Sequence, residues 1–319
     1  MWEKYPFIHS ELEAVDAYLA AKFPKQGGVL SNLTKKSLQA GGKKLRPVLA
    51  IISGMFGDYS REKLIPLAAA LETLHTATLV HDDIIDNADT RRGQPTVAAK
   101  HGINLAVYAG DYLLVKAVLM LSEAGLPPEK MRDIALALEA MCVGEVDQYL
   151  GRNRIPSMRA YLKRIMRKTG ILLSASCALG AFAADCSEQQ VKALGKFGMY
   201  FGTAFQIRDD LLDLDAAHDA SGKIGKPVIR DLQEGVITLP VIFAAYRNAG
   251  VKKQLETFFN GRGGEAAKLA QAVVKAGGAE ESQRIQQKYI QKCLKLLKGF
   301  PQTEHRQALE EAVLWLAAC

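Results

Sequence analysis

Apolar residues recur at helical spacing along nearly the whole chain. Residues 9–24 alternate apolar and polar positions with that period, and residues 62–89, 103–124, 128–151, 157–184 and 187–216 predict long helices. Several of these are apolar on all sides, the pattern of helices buried inside a bundle. The breaks carry recognisable punctuation: Pro127-Pro128 ends one helix and opens the next, Asn153 to Pro156 separates another pair, and Gly222 to Pro227 closes a third. No run shows period-two alternation of β-branched residues with hairpin turns, and no unit repeats at a fixed period. Past residue 248 the chain becomes more polar and richer in Gly and Lys, which reads as peripheral helices and not as a second domain. The expectation is one all-α domain over 1–319, a single large helical bundle. An N-terminal helix falls within 1–30 and peripheral C-terminal helices within 248–319.

Composition agrees. Aromatics make up 7% of the chain while Ala and Leu abound, which favours helix over sheet. The formal net charge of +7 fits an anionic partner without choosing among phosphate esters, membrane and nucleic acid. No dense block of Lys and Arg interleaved with aromatics appears, so no nucleic-acid partner is expected. Cys142, Cys177, Cys186, Cys293 and Cys319 are odd in number and form no CxxC, which argues against zinc and a disulfide framework and for a reducing cytoplasm. The N-terminal stretch MWEKYPFIHSELEAVDAYLAAKF has no signal-peptide apolar core. The longest uncharged run, TGILLSASCALGAFAA at 169–184, is short of a membrane span and reads as a buried helix.

The chemistry lies in an acidic cluster that occurs twice. HDDIID at 81–86 and RDDLLD at 208–213 both read D-D-x-x-D. A single copy is more often a solvated helix face than a site. Two copies, each following an apolar stretch (LETLHTATLV and FGTAFQI), place the clusters at the ends of buried helices. Each offers carboxylates at i and i+4 on one face. Bundles build metal sites this way, and oxygen-only ligands select a hard cation such as Mg²⁺, completed by substrate phosphates. The candidate metal set is Asp82, Asp83, Asp86, Asp209, Asp210 and Asp213.

Cations accompany the clusters. GGKKLRP at 41–47 presents Lys43, Lys44 and Arg46, and Arg91 and Arg92 follow the first cluster by about one helical turn. Lys168 and Thr169 open the long buried helix, and Lys223 and Lys226 lie in GKIGKP after the second cluster. Each alone is an exposed charge by default; together they can neutralise two diphosphates, Arg as a bidentate donor and Lys as a point charge. GGKKLRP lacks the Walker A spacing.

With these motifs the chain resembles the trans-isoprenyl diphosphate synthase (polyprenyl synthetase) family across essentially its whole length. The carrying residues are GGKKLRP, LHTATLVHDDIIDNADTRRG at 74–93, GDYLL at 110–114, GE at 144–145, RKTG at 167–170, FQIRDDLLD at 205–213 and GKPVIRDLQEGVITLP at 225–240. Within the family the likeness is greatest to the large, catalytic subunits of bacterial heptaprenyl-type synthases, with a single-component long-chain synthase as the near alternative. The resemblance implies an isoprenoid synthase bundle with a central cavity. An allylic diphosphate (farnesyl or geranylgeranyl) would bind between the acidic motifs through Mg²⁺, about three ions with substrate present, and ionise. Isopentenyl diphosphate would attack the resulting cation in successive trans additions, a proton passing to the departing diphosphate.

By the same resemblance Asp82, Asp86 and Asp209 are direct ligands, supported by Asp83, Asp210 and Asp213. Lys43, Arg46, His75 and Arg92 hold isopentenyl diphosphate. Arg91, Lys168, Gln206 and Lys226 hold the allylic diphosphate, and Thr169 and Gln206 turn oxygen dipoles towards the cation. Without the family, His75 is a core histidine in an apolar helix, and His81 has no assigned role. The prenyl tail would run down from the first cluster. One helical turn, about 5.4 Å, is close to an isoprene unit. Ala77 and Thr78, one turn before Asp82, are not aromatic, and in this family a bulky aromatic there ends the chain early. A long, heptaprenyl-like product for quinone side chains is therefore expected, delivered to the membrane by a soluble cytoplasmic enzyme.

Heptaprenyl-type relatives also imply an assembly, a homodimer or a heterodimer with a small regulatory subunit. The C-terminal EEAVLWLAAC lacks the basic ending common in the family. Three alternatives compete. A short- or medium-chain synthase shares the family motifs, but the first motif here has no insertion between its aspartates, unlike short-chain bacterial farnesyl-type enzymes. A class I terpene cyclase needs an N-D-x-x-S-x-x-x-E second motif that RDDLLD does not match. A metal-binding structural bundle does not need the cations at 43, 46, 91, 92, 168 and 226.

Overall fold

The computed structural model describes residues 2, 4–24, 28–39, 42–218, 230–261 and 266–317. In chain order the helices are α1 (Pro6–Lys22), α2 (Gly28–Gln39), α3 (Leu45–Gly54), α4 (Arg61–Ile85), α5 (Val97–His101), α6 (Ile103–Glu123), α7 (Pro128–Leu150) and α8 (Met158–Ile165). They continue with α9 (Ile171–Ala183), α10 (Glu188–His218), α11 (Arg230–Gln233), α12 (Leu239–Arg247), α13 (Ala249–Phe259), α14 (Ala266–Lys275), α15 (Gly278–Leu297) and α16 (Glu304–Ala317). One antiparallel hairpin, β1 (Thr90–Arg91) and β2 (Gln94–Pro95), is the only sheet among the described residues. The fold is all-α, as the periodicity predicts.

Two departures from the expected elements bear on function. The helix expected over 62–89 stops at Ile85, because Asn87 takes a left-handed φ of 47°. Asp86 caps it, its N–H still bonded to the Asp82 carbonyl at 2.9 Å, so the one-turn relation of Asp82 and Asp86 survives. Arg91 and Arg92 then belong to the hairpin and not to a further helical turn. The helix expected over 157–184 is interrupted by a π turn at Met166–Gly170, where the Ile171 N–H reaches back five residues to the Met166 carbonyl.

The chain divides into two compact units. The first comprises Met1–Ala135, Leu172–Gly198 and Gln302–Leu309. Its core is built around α4, which packs along α6 and α3, with Leu49, Ile51, Leu67 and Leu71 fully buried. In α9, Leu173 and Cys177 are buried, so the uncharged run at 169–184 forms the interior helix it predicts. The crossing of α4 and α6 is close at Gly110, where a Cβ would lie 2.3 Å from His81 Nε2. The other side of α6 leaves Ile103, Tyr108, Val115, Val118 and Leu119 exposed. Among the described residues α6 alone is long and apolar enough to cross a membrane, yet it carries Asp111 and Lys116 and packs along α4.

The second unit comprises Leu136–Ile171, Met199–Pro301 and Glu310–Cys319. Here α12 packs with α13, α14 and α15, and Leu255, Val273, Leu297 and Leu316 are fully buried. The C-terminal helices, polar in composition, thus carry core residues on one face each.

Gly110→Ala should push the His81 ring off α6 and change stability by no more than about 1 kcal/mol, because the partly exposed ring can move and Ala favours a helix interior over Gly by about 0.5–1 kcal/mol. Urea unfolding of the variant against the parent chain measures this.

Candidate active site

The first acidic motif sits at the end of α4, and its three aspartates face different surroundings. Asp83 is buried, 6% exposed, and its Oδ1 accepts the Arg91 Nε–H at 2.6 Å. Asp82 and Asp86 are half-buried. The Asp83–Arg91 bond ties the helix end to the hairpin, where Thr90 pairs with Pro95 and Arg91 with Gln94. Arg92 and Gly93 form its two-residue tip with φ of 52° and 74°, as a type I′ turn requires. A non-glycine residue in this region carries strain, a mark of functional segments.

The strained turn aims Arg92. Its guanidinium lies over Gly42, where a Cβ would stand 2.6 Å from Arg92 Nη1. Only glycine permits this approach. Arg46, from the start of α3, and His75, from α4, join the same electrostatic group. Burial pulls the Arg46 guanidinium down to about 10, with Glu72 opposing and Arg92 adding to the shift. Burial, then Arg46, Arg92 and Arg91, hold His75 well below the usual imidazole range, so His75 is neutral at neutral pH. Burial pushes Glu72 up against the attraction of Arg46, Lys44 and Arg92. Arg46 Nε and Glu72 Oε2 are buried with no hydrogen-bond partner among the described residues. Lys44, in contrast, is engaged by Asp16 at 2.6 Å, and the Lys43 carbonyl accepts the Trp2 indole N–H at 3.1 Å. A cleft of about 580 Å³ beside this group is lined by Thr76, Val80, Asp83, Arg91, Arg92 and Lys100, among others. Ala77, 2% exposed, and Thr78, whose hydroxyl donates to the His75 carbonyl at 2.8 Å, do not line it.

The second motif repeats the division of labour. Asp210 is buried, 4% exposed; its Oδ2 accepts the Tyr161 hydroxyl at 2.6 Å and the Leu239 N–H at 3.2 Å. The Gln206 side-chain N–H donates to its Oδ1 at 3.2 Å. Burial pushes Asp210 up and these donors pull it back, while burial and the Asp210 charge hold the Tyr161 phenol far above its ordinary range. Asp209 and Asp213 are half-buried. Thr169 donates to Gln206 Oε1 at 2.8 Å, and Lys168 pairs with Glu145 at 3.0 Å, both presented by the π turn. The second unit thus joins Lys168, Thr169, Gln206 and Asp210 of the sequence expectation. Lys226 lies outside the described residues.

Some participants were not singled out in the sequence. Tyr161 looks like an ordinary core aromatic. Glu72 is a polar residue in an apolar helix, a signal that was available. Asp231 on α11 is pushed up to about 7, by burial and then by Asp210, Asp213 and Glu234, with Lys168 opposing. His81, left without a role, lies over Gly110 with Nε2 3.4 Å from Asp111 Oδ1.

The donor set fits a hard cation. Among the described residues no three His, Cys, Asp or Glu side chains close on one point. Oxygen ligands from a substrate diphosphate and water would complete such a site, which is how Mg²⁺ is usually held.

The model of the polyprenyl synthetase family matches residues 28–276. The chain belongs to this family. Heptaprenyl diphosphate synthase component 2 of Geobacillus stearothermophilus is 38% identical over 98% of this chain and 97% of that protein. The crystal structure of heptaprenyl diphosphate synthase from Staphylococcus aureus superposes with a TM-score of 0.89 at 30% identity, covering 98% of each chain. Polyprenyl synthase from Caulobacter crescentus, solved with calcium and isoprenyl diphosphate, gives a TM-score of 0.89 at 27% identity over 98% of this chain and 96% of that one. The fold is the all-helical isoprenoid synthase fold, and the protein is a trans-prenyltransferase.

Two outcomes follow. Tyr161→Phe removes one donor from a buried carboxylate and should cost about 1–3 kcal/mol of stability, read by chemical denaturation. Asp231 binds its proton more tightly folded (about 7) than unfolded (3.8). Its contribution is therefore complete below pH 3.8 and lost as pH rises through about 7. Asp231→Asn should flatten that fall in stability, measured in chelator.

Proposed function

We propose that this prenyltransferase extends a farnesyl or geranylgeranyl diphosphate primer with isopentenyl diphosphate, in successive trans additions, to a long heptaprenyl-like polyprenyl diphosphate for quinone side chains. The observation that carries the substrate assignment is the meeting of Arg92, Gly42, Arg46 and His75. Two guanidiniums and a neutral imidazole, partly desolvated, suit a diphosphate: Arg46 and Arg92 repel each other until an anion joins them. Lys43 completes this isopentenyl diphosphate site.

Arg91, Lys168, Gln206 and Lys226 bind the allylic diphosphate. Asp82, Asp86 and Asp209 would hold Mg²⁺, with Asp213 in support; Asp83 and Asp210 act as anchors for Arg91, Tyr161 and Leu239. Bound Mg²⁺ supplies neutralisation of the leaving diphosphate. Thr169 and Gln206, fixed by their mutual bond, direct oxygen dipoles at the developing allylic cation. The proton lost after carbon–carbon bond formation goes to the departing diphosphate.

The family match spans parts of both units, which supports reading 1–319 as one synthase domain. The relative named component 2 supports a second component for this chain as well. We assign a second subunit, small partner or identical copy, to the exposed apolar side of α6, since a contiguous apolar helix face marks an interaction surface. The place of action is the cytoplasm, with product passed to the membrane. The small residues Ala77 and Thr78 support a long product.

The testing experiment gives the purified chain farnesyl diphosphate, labelled isopentenyl diphosphate and Mg²⁺, and sizes the dephosphorylated products. Polyprenols longer than geranylgeraniol support the proposal. Products ending at geranylgeraniol indicate a short-chain enzyme, and absence of elongation that persists with a small subunit added overturns it. Ala77→Phe should shift the products to shorter chains at comparable total incorporation, and an unchanged product distribution removes the chain-length argument.

A further inference from the structure

From residue 148 to residue 184 the chain holds no Asp or Glu, yet Arg152, Arg154, Arg159, Lys163, Arg164, Arg167 and Lys168 fall within it. The structure sorts these cations by direction. Arg164 turns to the Ile237 carbonyl at 2.6 Å, Arg167 pairs with Asp147 at 2.8 Å, and Lys168 pairs with Glu145. Arg154, Arg159 and Lys163 are exposed and have no ion-pair partner among the described residues.

α8 presents three stripes. Tyr161 and Ile165 are buried in the second unit. Met158, Leu162 and Met166, at i, i+4 and i+8, are half-buried and line a groove of about 650 Å³ completed by Ile171 and Met199. Arg159, Lys163 and Arg167 rim the same groove one residue further on. Methionine is unbranched and polarisable, and it adapts to irregular apolar ligands. A helix with an apolar stripe beside a cationic one, of which Arg159 and Lys163 have no ion-pair partner among the described residues, has the pattern of a segment lying in a lipid interface. The only aromatic between 152 and 168 is Tyr161, which is buried, so the segment offers no stacking surface for bases.

We propose that α8 and its methionine groove dock the protein on a bilayer carrying anionic lipid. Arg154, Arg159 and Lys163 meet the headgroups while Met158, Leu162 and Met166 enter the acyl boundary. This rests on charge and shape and is independent of the substrate assignment.

The test is sedimentation of the full chain with vesicles of phosphatidylcholine alone and of phosphatidylcholine mixed with phosphatidylglycerol. The parent chain should bind the mixed vesicles and not the neutral ones. R159Q/K163Q should bind the mixed vesicles roughly thirty-fold more weakly, from about a fivefold contribution per cation near an anionic surface. K252Q/K253Q, which removes two exposed cations from α13, should bind like the parent. Circular dichroism confirms that both variants fold. The proposal is overturned if the parent chain ignores mixed vesicles, which leaves an acidic protein segment as the groove's occupant. It is also overturned if both double variants weaken binding equally, which makes net charge the cause.

Discussion

A carboxylate taken out of water must be bonded, and that constraint organises both acidic motifs. In each, the second aspartate is the buried one. Asp83 takes the Arg91 guanidinium; Asp210 takes the Tyr161 hydroxyl, the Leu239 N–H and the Gln206 amide. Once these are committed, helical geometry sets where the first and third aspartates stand. The bonds to Arg91, Tyr161 and Leu239 also reach other segments, so the acidic motif is fixed to the hairpin in one unit and to α8 and the start of α12 in the other. The motifs therefore fasten segments together as well as presenting carboxylates.

On the cationic side the arrangement opposes itself. Arg46 and Arg92 each depress proton binding at His75, and Arg92 does so at Arg46. Glu72 offsets part of that repulsion at Arg46. Positive charge fixed in place in this way can receive an anion without reorganising, the arrangement in which polar groups contribute most to recognition.

The extent of this that was legible in the sequence follows from the range of each interaction. Helix positions came from periodicity, a local property, and most boundaries fell within a few residues. The acidic motifs were legible because two copies with apolar lead-ins are hard to explain otherwise. Arg92 was found as a cation, but its approach to Gly42 depends on a left-handed hairpin tip that helical spacing cannot suggest. Tyr161 and Asp231 matter only because folding places them beside Asp210, and nothing in their immediate neighbourhood says so. The hairpin itself is too short to leave an alternating pattern.

The π turn at Met166–Gly170 has a consequence for how the chain can change. A π turn holds one residue more than the α-helix it interrupts, so the surplus residue is taken up locally. In a regular helix one added residue would turn everything after it by about 100° around the axis. Taken up as a π turn, it leaves the faces on either side in phase. Deleting one residue there would relax the turn to α-helix and leave Tyr161 on Asp210. What would be lost is the backbone path that presents Lys168 and Thr169. A change of one residue in the length of this segment is thus absorbed by the fold and felt at those two side chains.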